Sequence, residues 1–160
     1  MRFITVLLLL TSLLFSYQKG DTISQNIQDK LSIKENKIYI IDFFASWCVS
    51  CKKEIPYLSK INDTLDKEKI EIIGVDVDED IKKGQSFQKE LNINFRVIDD
   101  PKSEIIKLFD PVGMPALFFI KNNKIAGSII GAKDNIDKII LNELKWLEWK
   151  SLYQFWHFFS

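Results

Sequence analysis

The stretch that most limits what this chain can become is Lys37 to Ala45, KIYIIDFFA. Beyond its first residue it is apolar or aromatic at every place but one, Asp42. A strand with one face in water alternates polar and apolar residues, so an uninterrupted run reads as a strand covered on both sides. Such a strand needs structure packed above and below it, which points to a layered α/β architecture.

The rest of the chain supplies those layers. TISQNIQDKL (22–31) puts Ile23, Ile27 and Leu31 at helical spacing behind a Thr or Ser cap. From Cys48 the period changes to helical, with Ile55, Leu58, Ile61 and Leu65 on one face. KIEIIGVDVD (69–78) reads as a second buried strand ending in an acidic turn, and IKKGQSFQKELNI (81–93) as a helix despite Gly84. NFRVIDD (94–100) is a short strand, and KSEIIKLFD (102–110) a short helix capped near Ser103. Leu117 to Ile120 and Ile125 to Ile130 form a hairpin about Asn122-Asn123, and a helix over 132–149 closes the fold. Strands alternating with helices, then a hairpin and a final helix, predict an α/β sandwich around a central mixed β-sheet. No repeat, linker or low-complexity segment divides it.

The N-terminus stands apart. MRFITVLLLLTSLLFS carries one Arg and then a nearly unbroken apolar run from Phe3 to Phe15. That run is short of the roughly 20 residues a membrane span needs, and its basic start and compact apolar centre have the layout of a secretory signal. Residues 1–18 are therefore expected to be a signal peptide, with Ser12 and Ser16 as the small residues for cleavage, or an uncleaved signal anchor. The segment has no Cys to carry a lipid. Residues 19–148 form the domain, expected to be periplasmic or otherwise extracytoplasmic, either soluble or tethered by the anchor. Formal net charge is +0 and no basic run is present, which argues against a nucleic-acid partner.

Both cysteines lie in SWCVSCKKEIP (46–56). As a staple the pair closes almost no loop and stabilises little. As a metal site it lacks ligands, since the only histidine is His157 in the tail, although two thiolates alone can hold Cu(I). On a helix, positions three apart bring Cα atoms to about 5–6 Å, within disulfide range. Cys48 would stand at the helix N-terminus, where unpaired amides and the dipole favour a thiolate, and Cys51 would resolve the mixed disulfide Cys48 forms. Redox chemistry fits this pair best, and no cofactor is called for.

These residues resemble a known family. WCVSC at the end of a buried strand, with Pro56 five residues past Cys51, looks like the thioredoxin superfamily. CKKEIP and the extra helix–strand segment between Asp78 and Asp110 are similar to its TlpA/ResA/DsbE-like extracytoplasmic branch, and VGMPALFFI resembles the family's cis-proline loop. The resemblance spans roughly residues 36–148. It implies a thioredoxin fold and a cis bond before Pro115, with the Met114 backbone beside the cysteines, where an extended substrate can pair by strand addition. It implies that Asp42, desolvated in its strand, accepts the proton of Cys51. Trp47 would shield the nucleophile. The acid of the superfamily is partnered by a lysine that would fall near Gly74, and TlpA-like members often carry Asn in place of Asp42. With the Val49-Ser50 dipeptide, this departure is similar to the C-terminal domain of the DsbD relay. Glu54 reads either as an acid near the site or as a solvated charge, and Lys52 and Lys53 either as a solvated face or as charges that favour a thiolate.

The TlpA-like resemblance implies a reductase of cysteine-containing proteins, apocytochrome c among them, itself re-reduced by a membrane electron donor of the DsbD/CcdA type. An oxidase or isomerase of secreted proteins is the alternative, with a Cu(I) carrier and a redox-silent interaction protein behind it. A peroxiredoxin would want a Thr and Pro motif ahead of a single peroxidatic Cys, and none is visible. In the tail, 149–160, the aromatics extend a series Trp146, Trp149, Tyr153, Trp156 at helical spacing. That series either folds back and is buried or forms a stripe for a membrane or a partner.

Overall fold

The computed structural model describes residues 17–158, with side chains through Lys150. The expected signal segment therefore lies almost wholly outside the described residues.

Five strands make one mixed sheet in the order β3-β2-β1-β4-β5. β1 (Ile38–Phe44) is central, parallel to β2 (Ile70–Asp76) and antiparallel to β4 (Ala116–Lys121). β3 (Arg96–Asp99) runs parallel to β2 at one edge, and β5 (Lys124–Ile130) antiparallel to β4 at the other. This is the thioredoxin-like arrangement expected from the sequence. Every residue of β1 is buried, as the uninterrupted apolar run requires.

Alternation along β1 assigns its side chains to two cores. Ile38, Ile40 and Phe44 pack with Cys51, Ile55 and Leu58 of α2 (Val49–Asn62), Phe87 of α3 (Ile81–Glu90), and Ile140 and Leu144 of α5 (Ile136–Phe158). Tyr39, Ile41 and Phe43 pack on the other face with Ile27 and Leu31 of α1 (Gln25–Leu31) and Phe109 of α4 (Ile106–Phe109). There Phe43, Phe109 and Phe118 form a triangle with ring centroids 4.9–5.9 Å apart. Asp42 lies between Ile40 and Phe44 in this alternation, so it points to the face that α2 covers.

Local sequence explains most boundaries. Asn122 and Asn123 both take positive φ, 50° and 59°, the conformation a two-residue hairpin needs. Gly84 is not a flaw in α3 but what lets it approach the sheet, since a Cβ there would stand 2.5 Å from an Asp76 carboxylate oxygen. The cap of α4 differs from expectation. Ser103 adopts a positive φ and donates its N–H to the Asp100 carbonyl, while the Asp100 carboxylate accepts from the N–H groups of Glu104, Ile105 and Ile106. An ionised carboxylate satisfies three orphan donors at once, more than a hydroxyl can, so Asp100 starts this helix.

Ahead of α1, residues 20–22 lie against the outer edge of β5. Gly20 N–H donates to the Ile125 carbonyl, Ile125 N–H to the Asp21 carbonyl, and Thr22 bridges Lys124. At the other end of the chain, α5 is continuous from Ile136 to Phe158, crossing without a break into the aromatic tail.

Candidate active site

β1 ends at Phe44, and a short turn delivers Cys48 as the N-cap of α2. The Cys48 Sγ accepts a hydrogen bond from Cys51 N–H at 3.2 Å, the place an N-cap oxygen usually fills. The two cysteines are closed as a disulfide with Cα atoms 5.3 Å apart. Cys48 keeps 7% of its surface and Cys51 none, so an incoming sulfur can reach only the first. The sequence preceding the pair is held from outside the helix. Asp78, just beyond β2, accepts from Ser46 N–H at 2.6 Å and from Ser46 Oγ at 2.8 Å, tying the turn to the neighbouring strand.

Trp47 is 66% exposed, so it stands over the surface beside Cys48 and is not part of the packed core. With Met114, Ser46 and the acidic run Asp78 to Asp80 it lines a groove of about 670 Å³. The Met114–Pro115 peptide bond is cis, and Pro115 is buried where β4 begins. Met114 packs against the core cluster that contains both cysteines. The structure thus brings Cys48, Cys51, Trp47, Met114 and Pro115 to one end of the sheet.

Asp42 lies deeper. It is 1% exposed, and neither carboxylate oxygen has a hydrogen-bond partner among the described residues. Burial raises its pKa well above the usual carboxylate range, and the nearby Glu54 carboxylate raises it further. Opposite Asp42 across the strand pair is Gly74, where the missing lysine would have been. A Cβ at Gly74 would meet a Phe44 ring carbon at 2.7 Å, so no longer side chain fits there.

Glu54 is the residue that sequence reasoning left undecided. It follows Cys51 by three positions on α2, is 5% exposed, and has one buried oxygen without a partner. Burial lifts its pKa to about 7. It also lines a groove of about 380 Å³ with Ser50, Tyr57 and Asn135. The signal available was its position: Cys51, Glu54, Ile55 and Leu58 share the i, i+3, i+4, i+7 face that turns inward. Asp78 was also missed, because its contact with Ser46 joins residues 32 apart in sequence. Lys52 is exposed and pairs with Glu90 on α3, and Lys53 is exposed. Among the described residues no group of three or more His, Cys, Asp and Glu side chains is placed to hold a metal ion.

Residues 15–128 match the AhpC/TSA family, and the chain belongs to it. It is similar to the thiol-disulfide oxidoreductase ResA of Bacillus thuringiensis, 31% identical over 105 residues, which are 64% of this chain and 61% of that protein. The ResA of Bacillus subtilis is 30% identical over 100 residues, 62% of this chain and 55% of that protein. The chain therefore spans about three fifths of the length of these curated relatives. In structure it resembles a thiol:disulfide interchange protein of the DsbE type from Chlorobium tepidum, with a TM-score of 0.71 at 22% identity over 81% of this chain and 96% of that one. StoA from Bacillus subtilis superposes with a TM-score of 0.62 at 21% identity, over 69% of this chain and 84% of that one. These two likenesses establish the thioredoxin-like fold, and the cysteine pair narrows the chemistry available within the family.

Proposed function

We propose that this protein is a thiol–disulfide oxidoreductase that works outside the cytoplasm as a reductase of cysteine-containing proteins. The observation that carries the reading is the Cys48–Cys51 pair at the start of α2, one sulfur reachable and the other enclosed, above two buried carboxyl groups. In the reduced form, the Cys48 thiolate attacks a substrate disulfide and one substrate sulfur leaves as a thiolate. Asp42 takes the proton of Cys51, and the resulting Cys51 thiolate attacks the Cys48 sulfur. The second substrate thiolate leaves, the enzyme disulfide closes, and two electrons have moved to the substrate. Glu54, between Asp42 and the groove it lines, hands that proton on to solvent.

Trp47 and Met114 hold the substrate segment, with the Met114 backbone pairing to an extended chain ahead of Pro115. Apocytochrome c with a disulfide-closed haem site is the substrate class that the ResA and DsbE likenesses favour. A membrane dithiol donor of the DsbD/CcdA kind restores the reduced pair. The apolar N-terminal run supports export by a signal or retention by an anchor.

The test is the reduction potential of the Cys48–Cys51 pair, from equilibration with dithiothreitol or glutathione. A reductase is expected near thioredoxin's value, about −270 mV. A value near that of DsbA, about −120 mV, would overturn the direction and make the protein a donor of disulfides.

A further inference from the structure

The pole of the molecule away from the disulfide carries features that the redox chemistry does not use. β1 begins there at Ile38, opposite Ile70 on β2 and Lys121 on β4, and climbs seven residues, about 20 Å, toward Cys48. α5 descends from Ile136 to this pole, where the Leu147 carbonyl accepts a hydrogen bond from the Lys121 ammonium. Among the described side chains Leu147 is the last residue of α5 in the core cluster, and the helix runs on to Phe158. Eleven residues therefore follow it on the helix, about 16 Å of length.

The composition of that extension sets it apart from the rest of α5. Residues 149–160, WKSLYQFWHFFS, contain six aromatic residues and no acid after Glu148. At a helical period, positions 146, 149, 153 and 156 fall on one side, opposite the side of Ile136, Ile140, Leu144 and Leu147 that packs on the sheet. Trp146 is 42% exposed and Trp149 61%, so the series does not fold back at these two positions. Trp and Tyr with lysine neighbours suit the headgroup level of a bilayer, where one end of the ring is apolar and the other wet.

A second line of evidence converges on the same helix. Lys19, four residues beyond the apolar run that ends at Phe15, places its ammonium 5.2 Å from the Trp146 ring, and Lys150 stands 4.9 Å from it. The chain enters the domain at Tyr17, whose N–H donates to the Leu108 carbonyl and whose ring meets Phe109 on the other face of the sheet, and only the Lys19 side chain reaches across to α5. No helix among the described residues is long and apolar enough to cross a membrane, so α5 is suited to lie on a surface and not to span it.

We propose that the C-terminal half of α5, through Trp146, Trp149 and the aromatic positions that follow in the sequence, rests on a lipid bilayer. The domain then stands with its disulfide end away from the membrane, presenting Cys48 to the aqueous compartment. Lys19 and Lys150 place positive charge at the same level, which favours an anionic headgroup surface.

The test uses the full chain with vesicles of phosphatidylethanolamine and phosphatidylglycerol that carry brominated acyl chains, which quench tryptophan on contact. Strong quenching of the wild-type protein is expected. W146F/W149F/W156F, which retains only Trp47 at the far pole, should be quenched several-fold less. W47F, which leaves the tail tryptophans in place, should be quenched at least as strongly as wild type and guards against misfolding of the triple variant. Equal quenching of all three proteins, or none in W47F, would overturn the proposal. The second result would assign the stripe to a protein partner.

Discussion

Glu54→Gln separates the charge of the buried acid from its shape. Below about pH 4.5 the Glu54 carboxyl is neutral in the folded and unfolded chain alike, and burying it adds no dependence on pH. As pH rises from there, the unfolded chain ionises while the folded protein, with Glu54 lifted to about 7, stays protonated. Stability is therefore lost with rising pH, at about 1.4 kcal/mol per pH unit, until the folded form ionises too. From 4.5 to about 7 the loss comes to about 3 kcal/mol. Asp42 acts with the same sign, and part of its upward displacement comes from Glu54, so the glutamine flattens both contributions. Urea unfolding of the oxidised protein at steps between about pH 5 and about pH 8 reads this directly. The variant should gain on wild type as pH rises, by about 3 kcal/mol at the top of the range. Two parallel stability–pH curves would show that Glu54 ionises normally and that the paired-acid account of the site is wrong.

Three further outcomes follow from the site and its support. Cys51→Ser should accumulate a mixed disulfide with a disulfide-bonded peptide and Cys48→Ser should not, as seen on non-reducing gels. Asp42→Asn should slow release of that mixed disulfide by about 10²-fold while leaving the first attack on substrate nearly unchanged, measured by rapid-mixing fluorescence. Gly84→Ala, which in an open helix would stabilise by up to about 1 kcal/mol, should destabilise this protein by about 1–3 kcal/mol in a thermal melt. The added methyl would meet the Asp76 carboxylate.

What could be read from the chain beforehand was whatever depends on local order. The strand at β1, the Asn122-Asn123 hairpin and the placement of the cysteine pair each rest on neighbouring residues, and each lies where the sequence places it. Asp42 was legible because an acid inside an apolar strand has nowhere wet to go. Glu54 was harder, since a single acid on an amphipathic helix reads the same whether its face turns inward or out. Only the packing of α2 decides. The Ser46–Asp78 clamp joins residues 32 apart, and the switch of the α4 cap from Ser103 to Asp100 follows Ser103 taking a positive φ, neither of which a periodicity records.

The backbone of residues 20–22 along β5 has a bearing on selectivity. A sheet edge left bare will accept almost any extended chain, and the substrates proposed for this protein arrive as extended chains. Residues 20–22 close the start of one margin, at Lys124 and Ile125, and the other margin is reduced to the four residues of β3, so the sheet offers a stray strand less open edge than its length suggests. In the proposed mechanism the substrate backbone pairs at the loop before Pro115, at the same end of the sheet as the cysteines. On that proposal docking and reaction share one address, and a chain without a cysteine has little reason to stay.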